Sequence, residues 1–304
     1  MPITFSNISI IGMGLMGGSI AKALKKRAPK VQIASMHAPH ADLKAAIAAG
    51  AVDVLFDNWQ EIAVWSDLVI LATPLSAVCA LAQTLSDSCP QNKRLLVVDI
   101  GSVKQQVASA FEALSGRAVE FLSSHPMAGK EMWGFEHSEA GLFEQRPWAI
   151  CPHANNTASA IAEMKALIRL LGGKPLVLSP EEHDKQAALI SHLPALLSKC
   201  LLEFVSSKNP EALQLAGPGF QSMTRLAKDN PALSAEWLTA NRAHIQHALD
   251  DFLTYIYPNN FKIWEFDKEA PQNYCSERVT IAERQGTSEN KNFEVRPTPS
   301  KTKC

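Results

Sequence analysis

The stretch that decides the fold runs from residue 7 to residue 27 and reads NISIIGMGLMGGSIAKALKKR. The apolar run Asn7–Gly12 predicts a buried β-strand, and the apolar spacing over Leu15–Arg27 predicts a helix. Between them, Gly12, Gly14 and Gly17 form a GxGxxG pattern. Because the pattern follows a strand and opens a helix, it predicts the phosphate-binding turn of a dinucleotide-binding fold.

Each glycine of this turn has a predicted role. Gly12 allows the tight turn, Gly14 lets the backbone approach a pyrophosphate, and Gly17 lets the helix pack closely against the strand. Leu15 and Met16 open the helix, whose free N–H groups and positive dipole end favour phosphate. The alternative is a glycine-rich turn that binds no ligand.

The rest of the first half alternates strands with helices. Such alternation is typical of a doubly wound parallel sheet, because parallel strands need crossover connections. The predicted strands after the first are Val31–Ser35, Leu68–Ala72, Leu95–Val98, Val119–Leu122, Trp148–Cys151 and Pro175–Leu178, and helices are predicted at Ala41–Ala49 and Thr157–Leu171.

The second half is predicted to be helical. Ser179, Pro180 and Glu182 form a capping box that starts a long helix ending near Ser206. A kink is predicted at Pro194, and a second long helix is predicted from Pro231 to about Ile256. The fold class is therefore α/β, with an N-terminal Rossmann domain (1–179), a C-terminal all-helical domain (180–257) and a poorly ordered tail (258–304).

Composition narrows the class of function. The chain has 304 residues and a formal net charge of -1, which gives no basic field for nucleic acid. The apolar runs are too short to span a bilayer, and no signal peptide is recognisable. The six cysteines form no CxxC pair. These features predict a cytoplasmic protein with no nucleic-acid or membrane partner.

The end of the second strand bears on the choice of cofactor. An acidic residue about twenty residues after the glycine turn binds the ribose 2′-hydroxyl in NAD sites. Here Ser35 and His37 occupy the region, and no carboxylate follows the strand. Both side chains can donate hydrogen bonds to a 2′-phosphate, so the sequence favours NADP over NAD.

Further motifs follow the predicted strands and helices in a fixed order. They are Ala72-Thr73-Pro74, Asp99-Ile100-Gly101-Ser102-Val103-Lys104, Ser124-His125-Pro126-Met127-Ala128-Gly129, Ile190-Ser191-His192-Leu193-Pro194, Gly219-Phe220-Gln221-Ser222-Met223-Thr224-Arg225-Leu226-Ala227 and Asn241-Arg242. In this order and spacing the motifs resemble the prephenate/arogenate (cyclohexadienyl) dehydrogenase family of tyrosine biosynthesis, over about residues 8–256.

The resemblance implies an activity and a catalytic pair. The activity is NAD(P)-dependent oxidative decarboxylation of prephenate, of arogenate or of both. His125 matches the family's catalytic histidine, a fitting acceptor for the hydroxyl proton. Ser102 matches a serine that hydrogen-bonds the same hydroxyl; the alternative is a cap for a helix starting at Val103. Thr73 and Pro74 match the strand edge where the nicotinamide lies.

The resemblance also implies the substrate-binding residues. Arg225 matches the arginine that grips a substrate carboxylate, and His192 matches a substrate-site histidine. Glu131 lies where the family has a polar or acidic gate residue. Gln221 stands where relatives commonly have Lys or Arg, so the choice between a keto and an ammonium side chain on the substrate stays open.

Two other functions fit parts of the sequence. One is a β-hydroxyacid or 6-phosphogluconate-type dehydrogenase, with Lys185 or Lys199 as the acid-base group. The other is a non-catalytic NADP-binding regulator.

His183 and Asp184 do not have metal-ligand spacing with His192, so no metal is expected. The resemblance implies a homodimer.

Overall fold

The computed structural model describes residues 3–114 and 118–259. A single eight-stranded sheet runs in the order β3-β2-β1-β4-β5-β6-β7-β8. The strands are β1 (Asn7–Ile11), β2 (Gln32–Met36), β3 (Val54–Phe56), β4 (Leu68–Leu71), β5 (Leu95–Asp99), β6 (Val119–Pro126), β7 (Pro147–Cys151) and β8 (Lys174–Val177).

Six α-helices alternate with these strands among the described residues. They are α1 (Leu15–Arg27), α2 (Ala41–Ala48), α3 (Trp59–Trp65), α4 (Leu75–Ser88), α5 (Gln105–Ala113) and α6 (Ala158–Leu170). The helices after the sheet are α7 (Pro180–Ala187), α8 (Leu193–Lys208), α9 (Pro218–Met223), α10 (Pro231–Ala240) and α11 (Arg242–Asn259). The predicted doubly wound α/β fold with a helical C-terminal part is confirmed.

Alternating strand residues build a core on each face of the sheet. In β4, Leu68 and Ile70 belong to one buried cluster, while Val69 and Leu71 belong to the other. All four are buried, as expected for a parallel strand covered by helices on both sides. This packing explains why β4 reads as a continuous apolar run.

The sheet differs from the prediction in two places. The short strand β3 was not predicted, because its three residues carry no periodic pattern. The other difference is that β7 pairs with β6 antiparallel, with Ala149 opposite His125. The chain reaches β7 through the loop around Phe135–His137 rather than through a crossover helix, so the strand direction reverses.

The first long helix of the second half is interrupted by a wider turn. The Ser179 hydroxyl accepts a hydrogen bond from the Glu182 amide at 3.1 Å, as the capping box predicts. A π-helical turn, Ala188–His192, then separates α7 from α8. The amide of Leu193 donates to the Ala188 carbonyl across this turn, one residue farther than in an α-helix.

The second predicted helix, Pro231 to Ile256, is two helices, α10 and α11. The break falls at Asn241, which is buried and whose side chain is used in hydrogen bonds. The compact unit that holds the sheet ends at Asp250, inside α11. The predicted domain boundaries at 179 and 257 stay a prediction. Residues 260–304, most of the predicted tail, lie outside the described residues.

One helical stretch among the described residues, Pro180–Lys208, is long and apolar enough to cross a membrane by length and composition. Single stretches of this kind are weak evidence, since core helices pass the same test. This one carries His183 and Asp184, both buried and hydrogen-bonded to each other.

Candidate active site

The glycine turn after β1 has the shape that a dinucleotide requires. Gly12 has φ +99°, and a Cβ there would collide with the Ala72 carbonyl at the end of β4. Helix α1 begins at Leu15 with Gly14 as its N-cap, and no side chain in the described part of the chain caps its amides. Its first turn holds no acidic residue, so the helix end can receive phosphate. The residues present therefore fit a nicotinamide dinucleotide.

Ser35 and His37, at the end of β2, already have hydrogen-bond partners, although the sequence predicts both to be available to a 2′-phosphate. The Ser35 hydroxyl is buried and donates to the Ile10 carbonyl at 2.8 Å, so its pose does not support a contact with a 2′-phosphate. His37 is exposed, and its Nδ1 lies 3.0 Å from Oδ1 of Asp57. A carboxylate is thus present at this edge, supplied by the residue after β3.

The ends of β4 and β5 line the same edge of the sheet. The Thr73 hydroxyl is buried and has no hydrogen-bond partner among the described residues. Pro74 precedes α4, whose first amide, on Leu75, donates to Glu236 of α10 at 2.8 Å. A carboxylate from the helical part of the chain thereby caps a helix of the sheet layer.

Ser102 lies in the turn between β5 and α5. The helix starts at Gln105, with Lys104 as its N-cap residue, so the alternative that Ser102 caps a helix from Val103 is wrong. The carboxylate of Asp184 caps it instead: Oδ1 accepts the Lys104 amide and Oδ2 the Gln105 amide, each at 2.8 Å. The Ser102 hydroxyl is therefore not committed to the helix end.

A buried ion pair lies under this turn. The Lys104 ammonium contacts the carboxylate of Asp99, and both side chains are fully buried. The second carboxylate oxygen of Asp99 has no partner among the described residues. The pair lies near the carboxyl ends of the strands, where Lys104 is one of the groups that lower the pKa of His125.

His125 occupies the carboxyl end of β6, half-buried. Its Nδ1 lies 2.9 Å from Nε2 of His183 on α7, and the two rings meet nearly edge to face. Burial lowers the pKa of His125 well below 6.5, and His183, Lys104 and His192 lower it further. The imidazole is therefore neutral near pH 7, as a general base must be.

His183 is anchored by its neighbour. Its Nδ1 lies 2.8 Å from Oδ1 of Asp184, and both residues are almost fully buried. Burial raises the pKa of Asp184, but hydrogen bonds from His183 and from the Gln105 and Lys104 amides outweigh that effect and lower the pKa overall. The carboxylate is thus ionised and accepts every hydrogen bond described for it.

His192 ends the π-helical turn and is buried, with 2% exposure. Its ring stacks on Trp237, with centroids 4.6 Å apart. The Asn241 amide nitrogen lies 3.1 Å from His192 Nδ1 and also donates to the Asp184 carbonyl at 2.8 Å. Because Nδ1 accepts from the amide, the proton of neutral His192 lies on Nε2.

That Nε2 atom has no partner among the described residues. Burial lowers the pKa of His192 to about 4; Asp184 raises it and His183 lowers it. His192 is therefore a neutral hydrogen-bond donor with an unused N–H group. An unpaired buried donor is costly, which makes this N–H a strong candidate for contact with a ligand.

Two of the predicted substrate residues form a pair. Arg225 makes an ion pair with Glu131. Glu131 lies five residues after Pro126, which ends the strand that carries His125. The short helical turn that carries Arg225 packs against α8. Gln221, on α9, is exposed and donates to the carbonyl of Ala216, two residues before that helix, at 3.0 Å.

The structure therefore brings together some predicted residues and adds others. His125 and His192 belong to one electrostatic cluster with Lys104, whereas Arg225 and Glu131 form a separate pair. The sequence interpretation missed the roles of His183, Asp184, Asn241, Trp237 and Asp57. The adjacent His183 and Asp184 just inside a capped helix were the available signal.

Comparison with known proteins identifies the family of the chain. Residues 20–177 match the family model described as prephenate dehydrogenase, nucleotide-binding domain, and residues 179–268 match its dimerization domain. Prephenate dehydrogenase of Bacillus subtilis is 30% identical over 252 residues, which is 82% of this chain and 68% of the relative. Cyclohexadienyl dehydrogenase of Zymomonas mobilis is 31% identical, covering 82% of this chain and 85% of the relative.

A solved structure shows the same fold. Prephenate dehydrogenase from A. aeolicus, in complex with hydroxyphenyl propionate and NAD+, superposes with a TM-score of 0.79 at 27% identity. The match covers 88% of this chain and 94% of that one. Both family models match, over residues 20–177 and 179–268, and the Zymomonas mobilis relative is 31% identical over most of its length, so the chain belongs to the prephenate dehydrogenase family.

Proposed function

We propose that this chain catalyses the NAD(P)-dependent oxidative decarboxylation of prephenate, of arogenate or of both, with His125 as the base. As a member of its family, the chain is a nicotinamide-dependent oxidoreductase. The observation that carries the proposal is a neutral, half-buried His125 at the sheet edge that also holds the glycine turn. The comparisons do not support the β-hydroxyacid or non-catalytic alternatives.

The chemistry needs a proton acceptor and orientation. When bound, the oxidised nicotinamide supplies the hydride acceptor. His125 takes the hydroxyl proton at Nε2 as the carbon that bears this hydroxyl becomes a carbonyl. The bond to the ring carboxylate then breaks, carbon dioxide leaves, and its electron pair makes the ring aromatic. Ser102 orients the hydroxyl toward His125.

Arg225 and His192 bind the substrate in this proposal. A guanidinium can hold a carboxylate through two parallel hydrogen bonds, which fixes the ring against the nicotinamide. The free Nε2–H of His192 supplies a neutral donor. Glu131 competes for Arg225 and acts as the gate, while Gln221 contacts the substrate side chain only after leaving Ala216.

In this proposal the glycine turn and the first turn of α1 hold the pyrophosphate. The residues are Gly12, Gly14, Leu15, Met16 and Gly17. Thr73 and Pro74 line the nicotinamide end. The preference for NADP that the sequence favours now depends on His37, because the Ser35 hydroxyl is already used.

Asp57 provides an argument for NAD. Its carboxylate lies 3.0 Å from His37 and would repel a 2′-phosphate, whereas it can accept a hydrogen bond from a ribose hydroxyl. Of the two cofactors, this geometry favours NAD.

The direct test crosses prephenate and arogenate with NAD and NADP and follows the absorbance of the reduced nicotinamide. We expect turnover in at least one combination, with one carbon dioxide released per nicotinamide reduced. His125→Asn should lower kcat by about 10²–10⁴-fold while cofactor binding is kept. Silence of the wild type in all four combinations, with cofactor still bound, would overturn the proposal.

A homodimer and a cytoplasmic location complete the proposal. Large apolar side chains are exposed on the helical part of the chain, as expected of a dimerization domain. They include Leu189, Ile190, Phe204, Leu215 and Met223. Sedimentation equilibrium should give twice the chain mass, and Ile190→Glu should shift the protein toward monomer; a wild-type monomer at micromolar concentration would contradict the dimer.

A further inference from the structure

We infer that Asp184 and His183 are positioning residues that fix His125 in the tautomer with an unprotonated Nε2 facing the substrate. The inference rests on the proposed function of His125 as the base. It follows from the order in which donors and acceptors are used along three residues of the buried network.

Asp184 determines that Nδ1 of His183 carries a proton. Its carboxylate accepts two backbone amides, which can only donate, and it is ionised. An ionised carboxylate has no proton to give, so the hydrogen in the 2.8 Å contact with His183 belongs to His183 Nδ1. The two amides also stop the carboxylate from rotating away.

The protonation of His183 in turn determines which nitrogen of His125 is protonated. The inference assigns His183 a single proton, on Nδ1, so that Nε2 presents its lone pair to His125. The 2.9 Å contact between Nε2 of His183 and Nδ1 of His125 is then a hydrogen bond in which His125 donates. Neutral His125 carries its single proton on Nδ1, and Nε2 keeps the lone pair that accepts the substrate proton.

The opposite arrangement would disable the base. If His183 donated through Nε2, His125 would have to accept at Nδ1 and carry its own proton on Nε2. That nitrogen could no longer take the hydroxyl proton. Because Asp184 keeps a proton on Nδ1 of His183, donation through Nε2 would require a second proton on that ring, which the single proton assigned by the inference rules out.

The same network stabilises the product of the proton step. When Nε2 of His125 gains the proton, both of its nitrogens carry hydrogen and the ring becomes positive. The bond to His183 is kept, and the negative charge of Asp184 lies one imidazole away. Three other groups influence His125 electrostatically or lie near it: Lys104 with its partner Asp99, and His192.

A pair of substitutions at His183 tests the inference. In His183→Gln, the amide oxygen can still accept from Nδ1 of His125, whereas His183→Met has similar bulk and no strong acceptor. We expect His183→Met to lower kcat by about 10²-fold with KM within about twofold. His183→Gln should retain at least about a tenth of wild-type kcat by the same reasoning. Equal loss in the two variants, or a change in KM alone, would overturn the inference.

A matched control separates this effect from general loss of a histidine. His153 is half-buried and bonds the Phe121 carbonyl through Nε2 at 2.9 Å, on a different part of the sheet. His153→Gln should leave kcat within about twofold of the wild type, because it touches neither His125 nor its partners. Circular dichroism and cofactor binding should be kept in all three variants.

A spectroscopic readout does not depend on turnover. Nitrogen-15 spectra of histidine-labelled protein at pH 7.5 should show His125 protonated at Nδ1 in the wild type and in His183→Gln. In His183→Met the Nε2–H form should gain population. A His125 already protonated at Nε2 in the wild type would overturn the inference even if the enzyme is active, whereas an inactive wild type with the Nδ1–H form would count against the proposed function alone.

Discussion

The guanidinium of Arg225 is paired with the carboxylate of Glu131, so the residue proposed to grip the substrate carries an internal carboxylate as its partner. A substrate carboxylate has to replace Glu131 or share the guanidinium with it. Arg225 is more than half exposed, which leaves it accessible for that exchange. Substrate affinity therefore depends on a competition between two carboxylates for one cation.

Opposite effects on KM are expected from the two partners. Arg225→Ala should raise KM for the dienol by about 10–100-fold with a smaller change in kcat, because a charge-assisted contact is lost. Glu131→Gln should lower KM, or leave it unchanged, since the competitor is neutralised. Steady-state kinetics at saturating cofactor measure both, and a KM for Arg225→Ala equal to that of the wild type would remove Arg225 from the binding site.

Cofactor choice should respond to Asp57. Asp57→Asn removes the negative charge beside His37 and should raise kcat/KM for NADP relative to NAD by about tenfold. Asp87→Asn, on α4 and bonded to Gln83, is a matched control that should not change this ratio. If Asp57→Asn leaves the ratio unchanged, or if the wild type already prefers NADP, Asp57 does not discriminate between the cofactors.

The decline of kcat/KM at acid pH should begin well below pH 6.5. Burial lowers the pKa of His125, with further lowering by His183, Lys104 and His192, and the reaction needs the neutral imidazole. As pH falls below 6.5, kcat/KM should therefore hold and decline only when His125 becomes protonated. Profiles measured between pH 4.5 and 8 decide this, and a decline already complete at pH 6.5 would contradict it.

His192 should make stability depend on pH. Its pKa is lowered to about 4 in the folded protein by burial, whereas an exposed histidine has a pKa near 6.5. Between these values the unfolded chain binds more protons, so the free energy of unfolding falls as pH drops from 6.5 toward 4. The upper bound on this loss is about 3 kcal/mol.

Urea unfolding at pH 7 and pH 5 measures this contribution. His192→Phe keeps an aromatic ring against Trp237 but cannot be protonated, so its stability should depend less on pH than that of the wild type. An equal dependence in the two proteins would mean that His192 does not titrate on unfolding. Because His125 also has a lowered pKa, some dependence should remain in the variant.

The sequence predicted the sheet well because its strands and turns have strong local patterns. The glycine turn, the buried run of β4 and the Ser179 cap each depend on neighbouring residues alone. The order of motifs led to the expectation that His125 and His192 belong to the site. Local patterns carry this information because they reflect backbone geometry and burial within one element.

Other parts of the site depend on contacts between distant segments. Asp57 reaches His37 because β3 lies beside β2, and Asp184 reaches the amides of α5 from 79 residues away in the chain. The Ser35 hydroxyl bonds Ile10 only because β2 lies next to β1. No periodicity in a single sequence encodes such pairings, so these roles became visible only in the folded structure.

The π-helical turn, finally, makes the active site sensitive to chain length. Nine residues separate His183 from His192, and a continuous α-helix would place them about half a turn apart, on opposite faces. The wider turn at Ala188–His192 changes that angle, and Asn241 can bond both Asp184 and His192. Substituting the exposed Leu189 or Ile190 leaves this spacing intact, whereas deleting one residue would turn His192 away from its partners. Alignments of active relatives should therefore be free of gaps across this segment, even where its residues vary.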